Sequence, residues 1–111
     1  SMSVIRVDTV SEYTSANGIT IDGVLIKDTT IDLNGTADAV ILDADADTTI
    51  SSPTDDQIDI EIAGADDFTF TANTFTALSG SSIAIAAGGS LTNAGTLTPA
   101  ISSTGKVLAL S

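Results

Sequence analysis

The sequence predicts an all-β fold, and three observations carry that prediction. Apolar residues recur at every second position, not at three and four. Thr, Ser, Asp and Gly, all poor helix formers, fill the positions between them. Turn-forming clusters such as "ANG", "LNG", "SSPTDD", "AGADD", "AAGG", "NAG" and "STG" punctuate the chain at intervals of about 8 to 12 residues. The elements follow as short alternating runs: Ile19 with Ile21, Val24 with Ile26, Ile31 with Leu33, Val40 with Leu42, Ile58 through Ile62, Phe68 with Phe70, Ile83 with Ile85, and Val107 with Leu108 and Leu110. In the run of Ile58, Ile60 and Ile62, an extended backbone sends the isoleucines to one side and Asp59 and Glu61 to the other. Strands this short suit a β-solenoid or intertwined β structure, or a sandwich-like one, completed by trimerisation.

A chain of 111 residues has the usual size of a single domain. Its large core-forming side chains are scarce, with three Phe, one Tyr, one Met and no Trp. A lone domain of this size buries only about two thirds of its unfolded surface, so help from partner chains is expected. Fifteen acids against Arg6, Lys27 and Lys106 give a net charge of −12, which excludes nucleic-acid binding by counterion release and makes anionic membranes repulsive. The absence of Cys and His removes disulfides, thiolate zinc sites, thiol nucleophiles and the commonest general base. No apolar run approaches the ~18 residues of a membrane span, and the start lacks the features of a signal peptide. Ser1 before Met2 reads as a scar of tag removal.

The sharpest boundary along the chain lies at Asp67 to Phe68. All 15 acids precede it, and Lys106 is the one charged residue after it. One β domain over 1–111 is therefore expected to have an acidic part, 3–67, and a low-charge part, 68–111. A surface without charges is naturally buried against something, so the second part is expected to face an assembly through Phe68, Phe70, Phe75, Ile83, Ile85, Leu91 and Leu97. The alternative is a β surface wetted through its Ser and Thr hydroxyls. Tyr13 and the three phenylalanines fall on the apolar side of β-like runs, where core positions are expected.

Candidate chemistry is sparse. "DADAD" puts Asp43, Asp45 and Asp47 at alternate positions, which on a strand would aim three carboxylates to one face and could hold calcium. An EF-hand loop further requires Gly at its sixth place and Glu at its twelfth, and here Thr48 and Thr54 stand there. A solvated acidic face is the plainer reading. The pairs Asp55 with Asp56 and Asp66 with Asp67 resemble glycosidase carboxylates only in number, because no aromatic platform accompanies them; turn contexts explain them. No GxSxG elbow, no phosphate-binding loop with its Lys and no histidine to activate a serine occur. The "NGT" at Asn34 is first a turn signal. No enzyme is expected, and no cofactor beyond calcium at the three aspartates.

The stretch "YTSANGITIDGVLIKD" (13–28) and the longer "DADADTTISSPTDDQIDIEIAGADDFTFTANTFTALSGSSI" (43–83) resemble modules of structural proteins of tailed bacteriophages, marine ones above all, in fibre-like and other virion proteins. The likeness covers more than half of the chain. It implies a β-rich, trimeric, non-enzymatic virion component, made in the bacterial host cytoplasm and bound to other virion proteins. Long fibre proteins carry such modules within larger chains. A chain running from Met2 to Ser111 is therefore expected to be a capsid-surface or decoration protein, or an isolated piece of a fibre. The rival expectation is a calcium-dependent adhesin or carbohydrate-binding module.

Overall fold

The computed structural model describes residues 2–98. Eight strands and no helix are found among the described residues. Strands β1 (Ile19–Ile21), β2 (Val24–Lys27) and β3 (Thr30–Asp32) form a three-stranded antiparallel meander. Strands β4 (Val40–Ile41), β5 (Thr49–Ser51), β6 (Ile58–Ile62), β7 (Ala65–Thr71) and β8 (Thr74–Ala77) form a five-stranded one, each strand paired with its neighbour in sequence. No helix among these residues is long and apolar enough to cross a membrane.

Local turn chemistry fixes this order. Ile21 stands opposite Val24, Lys27 opposite Thr30 and Ile62 opposite Ala65, so each hairpin closes through two residues. Those loops are Asp22-Gly23, Asp28-Thr29 and Ala63-Gly64, with positive φ at both positions, the backbone twist that matches paired strands. Asp and Gly suit it; Thr29, β-branched at φ 64°, is the costly member. Ahead of β1 the chain is held by Glu12. Its carboxylate accepts from the amides of Ala16 at 2.8 Å and Gly18 at 2.6 Å, and these donors hold its pKa below the ordinary carboxylate range. That contribution is present above the ordinary value and fades as pH falls through the lowered one.

The registers make both sheets two-faced. In the smaller one Ile19, Ile21, Val24, Ile26 and Ile31 share a face through the pairs Ile19 with Ile26, Ile21 with Val24 and Ile26 with Ile31. In the larger one Val40, Ile50, Ile60, Phe68 and Ala77 pair in a row across all five strands, with Ile58, Phe70 and Phe75 as a second row. Thr49, Ser51, Asp59, Glu61, Thr69 and Thr76 fall on the opposite face. Glu61 faces Asp66 whereas Ile60 faces Phe68, so Asp67 is an extra, bulged residue, and its carbonyl accepts from the Leu78 amide at 2.9 Å.

Burial runs against the pattern. No apolar side chain is buried among the described residues, and the buried ones are Thr49, Asp59 and Thr69 on the polar face. The aromatic core expected from the sequence is therefore absent: Tyr13 is fully exposed, and Phe68, Phe70 and Phe75 are only partly covered, because no second sheet layer lies over their face among the described residues. The radius of gyration, 21.6 Å, compares with about 13 Å for a compact chain of this length.

Several sequence expectations are corrected. Ile83 and Ile85 lie in a segment without strand pairing, since no neighbouring strand offers them a ladder. Asp66 and Asp67 belong to β7, where the Ala63-Gly64 turn begins pairing earlier than the acids suggested; Asp55 and Asp56 do occupy a turn, with Asp56 at φ 60°. Strand β7 runs across the charge boundary at Asp67 to Phe68, so both portions build one sheet. The run at Val107, Leu108 and Leu110, and Lys106 with it, lies outside the described residues.

Gly18 is the least replaceable glycine. At φ +74° a Cβ there would stand 2.6 Å from both the Ile26 carbonyl oxygen and the Lys27 Cβ, whereas one at Gly64, φ +86°, meets nothing within 4 Å. Gly64→Ala should lose about 1–2 kcal/mol for the left-handed backbone alone, and Gly18→Ala roughly 1–3 kcal/mol beyond that from overpacking. Thermal melts of the two variants check the order; equal losses would refute the close approach of the Glu12–Gly18 segment to β2.

Candidate functional site

Two features stand out, one polar and one apolar. The polar one is the loop joining β4 to β5. The Leu42 amide donates to the Thr48 carbonyl at 2.9 Å and the Ala46 amide to the Asp43 carbonyl at 3.3 Å, with Ala46 at φ 64°. The Asp43 carboxylate accepts from the Thr48 amide at 3.2 Å. This is turn chemistry of Asp, and it places Asp43, Asp45 and Asp47 in a hairpin loop, not along the strand expected from their alternation. The carboxylates converge nonetheless, with one oxygen from each lying within 4.8 Å of the others. The Gly64 amide, donating to the Asp47 carbonyl at 2.8 Å, ties the loop to the β6–β7 hairpin tip.

Three acids so close share protons unequally. Hydrogen bonding with Asp45, some desolvation and the neighbouring charges raise the Asp47 pKa. Desolvation pushes Asp43 upward, but the Thr48 hydroxyl and amide and its carboxyl neighbours outweigh it, and its pKa falls. Three carboxylates offer part of the six to eight oxygens calcium takes, so this loop could contribute to an ion site without completing one.

The apolar feature is the uncovered face of the five-stranded sheet. Phe68, Phe70 and Phe75, expected from the sequence to meet a partner, come together on it, with ring centroids of Phe70 and Phe75 stacked at 4.7 Å and those of Phe68 and Phe75 tilted at 5.6 Å. Sequence reasoning does not join to them the other half of this face: it reads Val40 and Ile58 through Ile62 only as short strands of the acidic part and does not single out Ile50. The pairings of β5 with β4 and of β6 with β5 and β7 unite them. Ile83, Ile85, Leu91 and Leu97 are exposed beyond β8 and are not drawn to this face by any strand pairing. At the β4 end the face opens into a groove of ≈ 190 Å³ lined by Leu33, Ala39, Val40, Ile50 and Ile58.

On the reverse face Asp59, opposite the isoleucines as its alternation predicts, is buried and accepts from the Gln57 side-chain amide at 2.7 Å. The buried Thr49 hydroxyl donates to Asp38 at 3.1 Å. Desolvation, with Asp38 and Asp66 nearby, raises the Glu61 pKa. Comparisons with protein-family models, curated proteins and solved structures find no match for the chain.

Asp47→Asn tests the crowding. A raised folded pKa means that the favourable contribution of protonated Asp47 is fully present below the ordinary value of 3.8 and is lost as pH rises through the raised one. An amide cannot ionise, so in chelator and low salt the variant should melt higher than the parent near neutral pH and no higher in acid. A lower melting temperature at neutral pH would show that the three carboxylates do not repel one another in the folded chain.

Proposed function

We propose that the chain is a non-enzymatic structural protein of a bacteriophage particle, which self-associates as a trimer and binds other virion proteins at the capsid surface or in a fibre. One observation carries the self-association: two amphipathic sheets, and no apolar side chain buried among the described residues. Strands with this alternation are selected to cover a face, and among the described residues of one chain the face has no second layer over it. The virion setting rests on the sequence resemblance of residues 13–28 and 43–83 to phage structural modules. The acids, concentrated before Phe68, then form the outward, water-facing part of the assembly and keep particles apart by charge.

A calcium-dependent adhesin or carbohydrate-binding module is the second reading, favoured by the convergence of Asp43, Asp45 and Asp47. Calcium added to chelated protein should on that reading raise the melting temperature of the parent and leave Asp47→Asn unmoved; no shift in the parent removes it.

Light scattering at micromolar concentration tests the leading reading. The expected mass is that of three chains, and Phe70→Asp, which places a charge on the bare face, should reduce it to one. A monodisperse monomer for the parent chain would overturn the proposal.

A further inference from the structure

The segment ahead of β1 is as unpartnered as the sheet face. Residues 2–7 form no strand, yet Met2, Val4, Ile5 and Val7 are all exposed, Ile5 at 89%. Extended, this arm would send Ile5 and Val7 to one side and Val4 and Arg6 to the other. Through Val7 it holds Arg6 and no acid, on a chain of net charge −12; Asp8 follows.

Among the described residues the five-stranded sheet has two open edges, β4 and β8. Beside β4 lie the apolar groove of Val40, Ile50 and Ile58 on one face and Asp38 on the other, bonded to Thr49, with Glu61 next to it in charge. Among the described residues no lysine or arginine pairs with that group: Lys27 belongs to the other sheet, and Arg6 is on the arm. Strand β8 and the residues after it through 98 carry no charged side chain, so only the β4 edge offers both an apolar side and an anionic one.

We propose that the arm of a second copy adds as a strand to the outer edge of β4, with Ile5 and Val7 extending the apolar face beside Val40 and Arg6 lying against Asp38. Backbone pairing along an open edge supplies the hydrogen bonds, and the alternation of the arm supplies the match of faces. This addition rests on the self-association proposed above and names one of its contacts. It also closes an edge which would otherwise stay free to pair indiscriminately.

The chain has no cysteine, so single replacements report contacts cleanly. Ile5→Cys and Val40→Cys chains, mixed under subunit exchange and oxidised, should form the mixed disulfide in preference to either homodimer, because paired strands bring Cβ atoms within bonding reach. Ile5→Cys with Phe75→Cys on β8 should not. Arg6→Glu should weaken self-association by about tenfold or more, and Arg6→Lys should largely retain it. If the parent is a monomer, the proposed function and this contact fail together. If the parent assembles but Arg6→Glu and Ile5→Asp do so equally well, or the cysteine at 5 couples to 75 or only within one chain, the arm contact alone is wrong.

Discussion

A single layer of β-sheet cannot cover itself, and that constraint governs everything else in this chain. Small domains place two layers face to face so that each hides the apolar side of the other. Here the registers deliver two amphipathic meanders, but Ile26 and Ile31 on one and Val40, Ile50, Ile58, Phe70 and Phe75 on the other remain exposed. Full burial of a side chain of this kind is worth about 1.5–3 kcal/mol; with the five on the larger sheet each 39–48% exposed, that face alone leaves about 3–6 kcal/mol unrealised. That is a large part of the whole stability of an ordinary domain, about 5–15 kcal/mol. The missing term is thus too large for turn chemistry or surface hydrogen bonds to replace.

What the isolated chain does possess is backbone order. The paired positive-φ turns, the Glu12 carboxylate on two amides and the Gly64 link to Asp47 fix where each strand begins. On the polar face two of the three buried side chains are bonded to a neighbour, Thr49 to Asp38 and Asp59 to Gln57. No buried side-chain nitrogen or oxygen is left without a hydrogen bond among the described residues. A polar face can satisfy itself locally because its partners are neighbours in one sheet. An apolar face cannot, because dispersion and water exclusion both require a second surface.

This difference also explains what could be read from the sequence. Period-two alternation at Ile58, Ile60 and Ile62 located β6, and the pairs Ile19 with Ile21 and Val24 with Ile26 located β1 and β2, because the signal is local. Strand β5 holds a single apolar residue, Ile50, between Thr49 and Ser51, and β8 holds only Phe75 and Ala77 among threonines; neither has enough alternation to be seen alone. Ile83 and Ile85 show the converse, an alternating pair that no adjacent strand recruits. The acidic loop was legible as a cluster but not as a loop, because its shape comes from the Thr48 amide and the Gly64 link, contacts that spacing does not encode. The union of Val40, Ile50 and the isoleucines with the three phenylalanines needed the register itself.

The charge distribution adds a directional element to the proposed assembly. Each copy brings twelve net negative charges, and Asp38, Asp59, Glu61 and Asp66 crowd the polar side of the larger sheet, while the opposite side has no charged residue in its paired rows. Copies can therefore approach apolar side to apolar side, but stacking on the polar side would place carboxylates against carboxylates, at a penalty salt only partly screens. An association favoured on one side and opposed on the other does not stack sheet on sheet through both faces. Asp38, Asp59, Glu61 and Asp66, distinct from the acids of the β4–β5 loop, thus oppose stacking on the polar side of the sheet.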